Sequence, residues 1–424
     1  MKSRRMRRSV VAASTFCVLA GSTAWAQQGA PPGELETLKG MVQEVISENR
    51  DLRRRVRELE AAMTKREQAA KEAAKAPEPA KEAAKEPAKE AAKEPAKTTI
   101  ELGGAIEVGV GWRRNFARVP GSDLNLETAE VDFEAKLLDW GRGVLAIEWD
   151  RDLDKLTVNE ALVTLGGSER IPFYLTTGRG VVPFGISSGS TVAAKLEDTL
   201  TLTDPLTIEV FDAKEDYVLL GVKTHGFTAG AYVFNGTTNR RGPTGEKRVE
   251  HFGAAVGYGM TNDTMSFAAG INMIDSVFDS DGLTEKFPEA QTFRKYAPGL
   301  GAHVRFGLRG FSLVAAYNAA LREVEFRREE TDVRARIQPS AWHIEGGYTT
   351  EIFGEKTYGA LSYSHTHELG GAFPKTRKIA TVARWLAEDI RVTFDYAYDE
   401  DYALADGGTG RYSNAFTLRL TYEW

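Results

Sequence analysis

The chain ends Tyr412-Ser-Asn-Ala-Phe-Thr-Leu-Arg-Leu-Thr-Tyr-Glu-Trp424, and this stretch decides the fold. Phe416, Leu418, Leu420, Tyr422 and Trp424 take the even positions, with Thr417, Arg419, Thr421 and Glu423 between them. A period of two puts the apolar set on one face of a strand and the polar set on the other. An antiparallel sheet with one wet face tolerates such a pattern. A transmembrane barrel strand requires it, because lipid lies on one side and water or packed polar groups on the other. One strand does not separate the two cases; many of the same kind do.

Working outward from that end, the alternation recurs as far back as residue 99. Ile100, Leu102, Ile106, Val108, Val110 and Trp112 face Glu101, Gly103, Ala105, Glu107, Gly109 and Gly111. Ala129, Val131, Phe133, Ala135 and Leu137 interleave with Glu130, Asp132, Glu134 and Lys136. Tight turns are expected at His225-Gly226, Arg309-Gly310 and Phe353-Gly354, and long polar connections separate one hairpin from the next. The count is sixteen strands, with eight long connections interleaved with seven short ones. Even strand numbers, short turns at one end and longer loops at the other are features of bacterial outer-membrane barrels. A soluble sandwich has no reason to alternate its loop lengths. The expected fold is therefore an all-β transmembrane barrel of about sixteen antiparallel strands over 99–424. Its final strand, ending on Trp424, resembles the signal read by the barrel-assembly machinery, with Phe416, Leu418, Leu420 and Tyr422 on the same face.

Residues 1–26 read as a signal peptide, with a basic start, an apolar run Val10 to Ala20 and a cleavage site Ala24-Trp25-Ala26. Cys17, the single cysteine, lies inside it, so the mature chain has no disulfide and no thiolate metal site. Losing Lys2, Arg4, Arg5, Arg7 and Arg8 takes 54 Lys and Arg down to 49, against 60 Asp and Glu. That acidic balance argues against nucleic-acid binding. Over 33–66 a heptad follows: Leu35, Val42, Asn49, Val56 and Met63 on one seam position, Leu38, Val45, Leu52 and Leu59 on the other. Such spacing predicts a periplasmic coiled coil, with Asn49 fixing register, and hence a homo-oligomer with a trimer favoured. The alternative is one amphipathic helix lying on another part of the protein. Residues 67–97 repeat PAKEAAKE, where a proline every eight residues interrupts any helix and leaves a semi-stiff spacer.

Both signs of charge fall on the inward register: Glu107, Glu130, Asp132, Glu134, Lys136, Glu148, His303, Arg305, Arg322, Glu345, Arg391, Asp395 and Arg419. Mixed charge suits a hydrated lumen or one crossed by salt bridges. The insert between about Gly180 and Glu215 is the candidate constriction, carrying Lys195, Glu197, Asp198 and Asp204 and preceded by Arg179. Its alternative is an external flap. Asp279-Ser280-Asp281-Gly282 has the opening of a calcium loop, but Ala290 stands where the last carboxylate is needed. Asp399-Glu400-Asp401 with Asp406, and the pair His365 and His367, are read as solvated or interfacial charge, and no metal or cofactor is expected. No nucleophile and base pair or phosphate loop stands out, so the chain is not expected to be an enzyme.

Several stretches resemble the legiobactin-receptor (LbtU) type of siderophore porin. They are Ile100–Val108 (IELGGAIEV), Val158–Gly166 (VNEALVTLG), Val182–Gly185 (VPFG), Asp204–Thr207 (DPLT), Val233–Gly236 (VFNG) and Tyr398–Gly410 (YDEDYALADGGTG). The resemblance implies a sixteen-stranded outer-membrane barrel associated with ferric-siderophore uptake and lacking a plug domain. The expected function is passive passage of a small polar solute through the outer membrane. A less selective porin, or a structural anchor whose coiled coil ties the envelope together, are the alternatives.

Overall fold

The computed structural model describes residues 99–424 apart from 138–139, 151–154, 186–198, 237, 239–247, 288–295 and 328–333. All of these belong to one compact unit, Ala92–Trp424. The signal peptide, the heptads and the PAKEAAKE spacer lie outside the described residues, as do Lys195, Glu197 and Asp198.

Sixteen strands form the wall: β1 (Thr99–Arg114), β2 (Pro120–Leu137), β3 (Gly141–Asp150), β4 (Lys155–Gly166), β5 (Phe173–Val181), β6 (Lys214–Thr224), β7 (Phe227–Gly236), β8 (Arg248–Thr261), β9 (Met265–Ile274), β10 (Gly299–Leu308), β11 (Phe311–Ala320), β14 (Ser340–Ile352), β15 (Glu355–His367), β16 (Thr376–Ala387), β17 (Ile390–Glu400) and β18 (Tyr412–Glu423). Each pairs antiparallel with its neighbours, and β1 meets β18 to close the ring. Closure removes the free edge that an open sheet would expose. At the seam the Trp424 N–H donates to the Gly104 carbonyl (3.1 Å) and the Gly104 N–H to the Trp424 carbonyl (3.2 Å). Gly104 is required there, since a Cβ would fall 2.4 Å from the Trp424 indole.

Phe416, Leu418, Leu420, Tyr422 and Trp424 all face outward and are exposed, while Thr421 is buried. The same parity runs round the ring: Leu220 is 65% exposed, whereas Glu107 and Glu345 are fully buried inside. Tight turns at His225-Gly226, Arg309-Gly310 and Phe353-Gly354 hold both residues at positive φ. That geometry matches the twist of two antiparallel strands and turns the chain in two residues.

Connections at the other end are long from β5 onward, spanning 182–213, 275–298 and 321–339. The first two at that end, 115–119 and 151–154, are short, contrary to the expected alternation. Arg113, Arg114, Gly121 and Ser122 are polar or small, yet they stay paired in a β1–β2 hairpin running out to Arg114 and Pro120. Backbone pairing, not polarity, ends those strands. A second departure lies in the charged connection after β11, which holds a small hairpin, β12 (Val324–Arg327) with β13 (Arg334–Ile337).

Candidate functional site

After β5 the chain leaves the wall and enters the lumen. The Val182 N–H donates to the Ala213 carbonyl (2.9 Å), closing the neck of the insert. Gly185, at φ +75°, turns the backbone so that its N–H meets Asn272 Oδ1 at 2.9 Å. Phe184 is buried edge-on against Phe211, with ring centres 6.3 Å apart. Beyond the undescribed segment, Thr199-Leu200-Thr201-Leu202-Thr203 leads to α1 (Leu206–Phe211). Leu200 and Ile208 pack on Val314, Ala316, Tyr358, Ala360 and Ala383, which are inward residues of β11, β15 and β16.

Polar contacts fix the insert on that wall. Glu345 accepts from the Leu200 N–H (2.6 Å) and the Thr201 hydroxyl (3.0 Å). Asp395 accepts from the hydroxyls of Thr203 and Thr381. The Tyr358 hydroxyl donates to the Leu200 carbonyl (2.7 Å), and Thr207 meets His343. Arg377 donates to the Asp204 carbonyl (2.9 Å) and pairs with Glu209 on α1 and Asp399 on β17 (2.8 Å). Buried backbone groups need partners, and here wall carboxylates supply them to a segment with no strand beside it.

The connection after β9 holds the insert from above. Its helix α2 (Asp281–Lys286) lies on α1 so closely that a Cβ on Gly282 would fall 2.0 Å from the Glu209 carbonyl oxygen. The Asp281 N–H donates to the Asp212 carbonyl (2.8 Å), and the Lys214 N–H to the Asp281 carboxylate (3.2 Å). Burial, with the Asp281 carboxylate nearby, pushes the Asp212 carboxyl up to about 7. His251 fastens the same connection, its Nδ1 3.1 Å from Asp279 and 3.3 Å from Asp275 and its Nε2 2.8 Å from the Thr238 carbonyl oxygen. Burial also raises the Asp279 carboxyl. Asp279 and Asp281, which open the calcium-like motif, are thus engaged in loop packing.

Across the barrel, β2, β3 and β4 present an acidic face. Glu130 stands directly opposite Glu148, and Asp132 and Glu160 flank Ala146 in one cross-strand row. Opposed like charges are destabilising in a sheet. Asn159, the extra residue of a β-bulge, donates to Glu130 (2.8 Å), and Lys214 donates to Asn159. Nearer the short turns Glu134 takes Arg142 (2.9 Å) and Lys136 (3.4 Å).

The expected site residues divide accordingly. Glu130 and Asp132 lie on the acidic face. Asp204 sits on the insert, and Arg305 falls in one cross-strand row with Val314 and Glu345. Glu107 and Arg419 pair with each other (2.9 Å), Glu107 also accepting from Thr421, so they brace the seam. Arg391, likewise buried, pairs with Glu423 (3.1 Å). Arg179 does not line the lumen. Its strand presents Gly178 and Gly180 inward, so Arg179 points outward to Asp216 (3.6 Å) beside the exposed Val218. Arg322 lies beyond β11 and is exposed. Arg377 and His343 escaped sequence reading, although both sit at inward positions of otherwise alternating strands. The Thr-Leu alternation over 199–203 was a readable sign of a two-faced segment.

No family model matches the chain. It is similar to a UPF0422 protein of Coxiella burnetii, 24% identical over 317 residues that cover 72% of this chain and 65% of that protein. A UPF0422 protein of Legionella pneumophila (strain Lens) is 23% identical over 320 residues, covering 69% and 57% respectively. The chain thus spans less than two thirds of the length of these relatives. Among solved structures it resembles an anion-selective porin from Comamonas acidovorans, with a TM-score of 0.50, 10% identity, and 77% of this chain and 100% of that one covered. The outer-membrane channel DcaP of Acinetobacter baumannii gives a TM-score of 0.50 at 11% identity, over 77% of this chain and 97% of that one. These likenesses show a porin-like β-barrel fold.

Proposed function

We propose that the protein is a passive channel for small polar solutes, with a ferric siderophore as the solute its sequence resemblance favours. The observation that carries this is the inner wall: an insert is tethered to the β11–β17 side, and β2–β4 carry a row of inward carboxylates. Glu148 and Glu160, half-buried on this face beside Asp132, give it an acidic excess that raises the local concentration of cations and disfavours anions. A neutral or cationic ferric complex therefore passes more readily than a polycarboxylate one. Movement follows the gradient, and the insert sets the aperture.

Uptake into proteoliposomes tests the solute. Faster entry of a ferric hydroxamate complex than of sugars or amino acids of similar size supports siderophore passage. Equal rates leave a less selective porin, and no entry of any solute leaves the structural-anchor reading. In this account the heptad seams of 33–66 assemble a trimer in the periplasm. Deleting 34–97 then dissociates the oligomer while uptake per barrel persists. The C-terminal face of Phe416 to Trp424 serves the barrel-assembly machinery.

A further inference from the structure

The outward face of β16, β17, β18 and β1 changes character abruptly near the long-loop end. Trp112, Phe416 and Tyr396 form one cross-strand row, with Trp112 and Phe416 5.8 Å apart and Tyr396 and Phe416 4.6 Å apart. The next row toward the long loops reads Arg114, Asn414, Tyr398 and Lys378. Aromatic hydrocarbon thus gives way to cations within a single step of the pleat. Long loops mark the outer side of such barrels, so this step lies where outer-leaflet acyl chains meet their headgroups.

Two cations at this level, Arg118 and Lys378, are held in place. Arg118, in the β1–β2 turn at φ +66°, lies over the Tyr412 ring with its guanidinium 3.6 Å from the centroid. Asn115 fixes that turn by accepting the Val119 N–H on its side chain (2.9 Å) and the Arg118 N–H on its carbonyl (2.9 Å). Tyr412 stacks on Tyr398 (5.4 Å), and Lys378 sits 5.4 Å from the Tyr398 centroid. Facing acids are few. Glu400 pairs with Lys378 (2.9 Å), Asp399 points inward to Arg377, and Asp401 accepts from Thr409. Arg114, Arg118 and Lys378 against Glu400 leave the patch net positive. Elsewhere on the outer face, Arg179 is matched by Asp216.

We propose that this sector binds the phosphorylated disaccharide headgroup of an outer-leaflet glycolipid of the lipid A type. Arg114 and Lys378 stand three strand spacings apart, about 14 Å, a span that two phosphates on one disaccharide can bridge. Planar guanidinium groups bind phosphate in a fork, and cations at a membrane surface each strengthen binding to anionic lipid. The tyrosines keep the cations from folding back onto the hydrocarbon, while the Trp112–Phe416–Tyr396 row receives the acyl chains.

Native mass spectrometry of the detergent-purified full chain tests this, titrating bisphosphorylated lipid A, its monophosphoryl derivative and its phosphate-free derivative. The wild type should retain the bisphosphorylated form at concentrations about tenfold or more below the phosphate-free one. R114A/R118A/K378A should abolish that preference while leaving ion conductance unchanged, since none of the three faces the lumen. If the triple variant does not fold, R114A alone should still weaken the preference by about threefold. Equal retention of all three lipids, no effect of the variants, or displacement by 10 mM inorganic phosphate alone would overturn the proposal. A loss of conductance bears on the channel account instead.

Discussion

Arg377 shows how much of the lumen depends on single side chains. It is buried on β16, and its guanidinium reaches a carbonyl and a carboxylate of the insert and a carboxylate of the wall. Truncating one member of such a cluster leaves the rest uncompensated, at a cost of about 3 kcal/mol. R377A should therefore speed hydrogen exchange at the Leu206 and Ile208 amides by about a hundredfold, while R377K recovers only part, because an ammonium cannot reproduce the fork. Asp212 gives the insert a pH dependence. Its carboxyl ionises near the ordinary 3.8 when exposed but near 7 in the fold, so the fold favours the protonated form. The stability of the neck is then full below about pH 4, declines as pH rises to about 7, and is constant above that, by up to ~4 kcal/mol in total. Exchange at the Val182 amide, corrected for intrinsic rate, should follow this curve, and D212N should flatten it. Side-chain facing is readable from sequence wherever alternation is unbroken, as at Glu130, Asp132 and Arg419. It fails at Arg179, where the glycines of β5 carry no polarity to mark which face is inward.

At the scale of elements, strands and tight turns are the most readable features. Period two sets the strands, and a residue followed by glycine sets the two-residue turns. The insert is harder because it borrows its hydrogen bonds from the wall. Glu345 and Asp395 appear in the sequence as lumen charges, and only the fold shows that they accept from Leu200, Thr201 and Thr203. Contacts between residues some 145 to 192 positions apart leave no local trace. The α1–α2 contact is of the same kind, made possible by Gly282. G282V places side-chain atoms against the Glu209 carbonyl and should force the helices apart, a loss of roughly 2 kcal/mol or more. The expected result is protease cleavage within 199–211 of a barrel that still migrates as folded on an unheated gel. Unchanged resistance would mean that α2 does not hold the insert.

For the molecule as a whole, closure and charge distribution act together. Sixteen strands enclose a lumen with the insert on one side and carboxylates on the other. E148Q/E160Q neutralises two half-buried acids of that face and should lower cation preference by about twofold or more while the barrel still folds. Reversal potentials under a KCl gradient check that outcome. The most direct test of the central claim is the current carried by the purified, folded barrel in a planar bilayer. An open lumen with this acidic face gives stepwise, ohmic conductance that favours cations over anions. A correctly folded barrel that inserts into the bilayer and passes no current above background would contradict it.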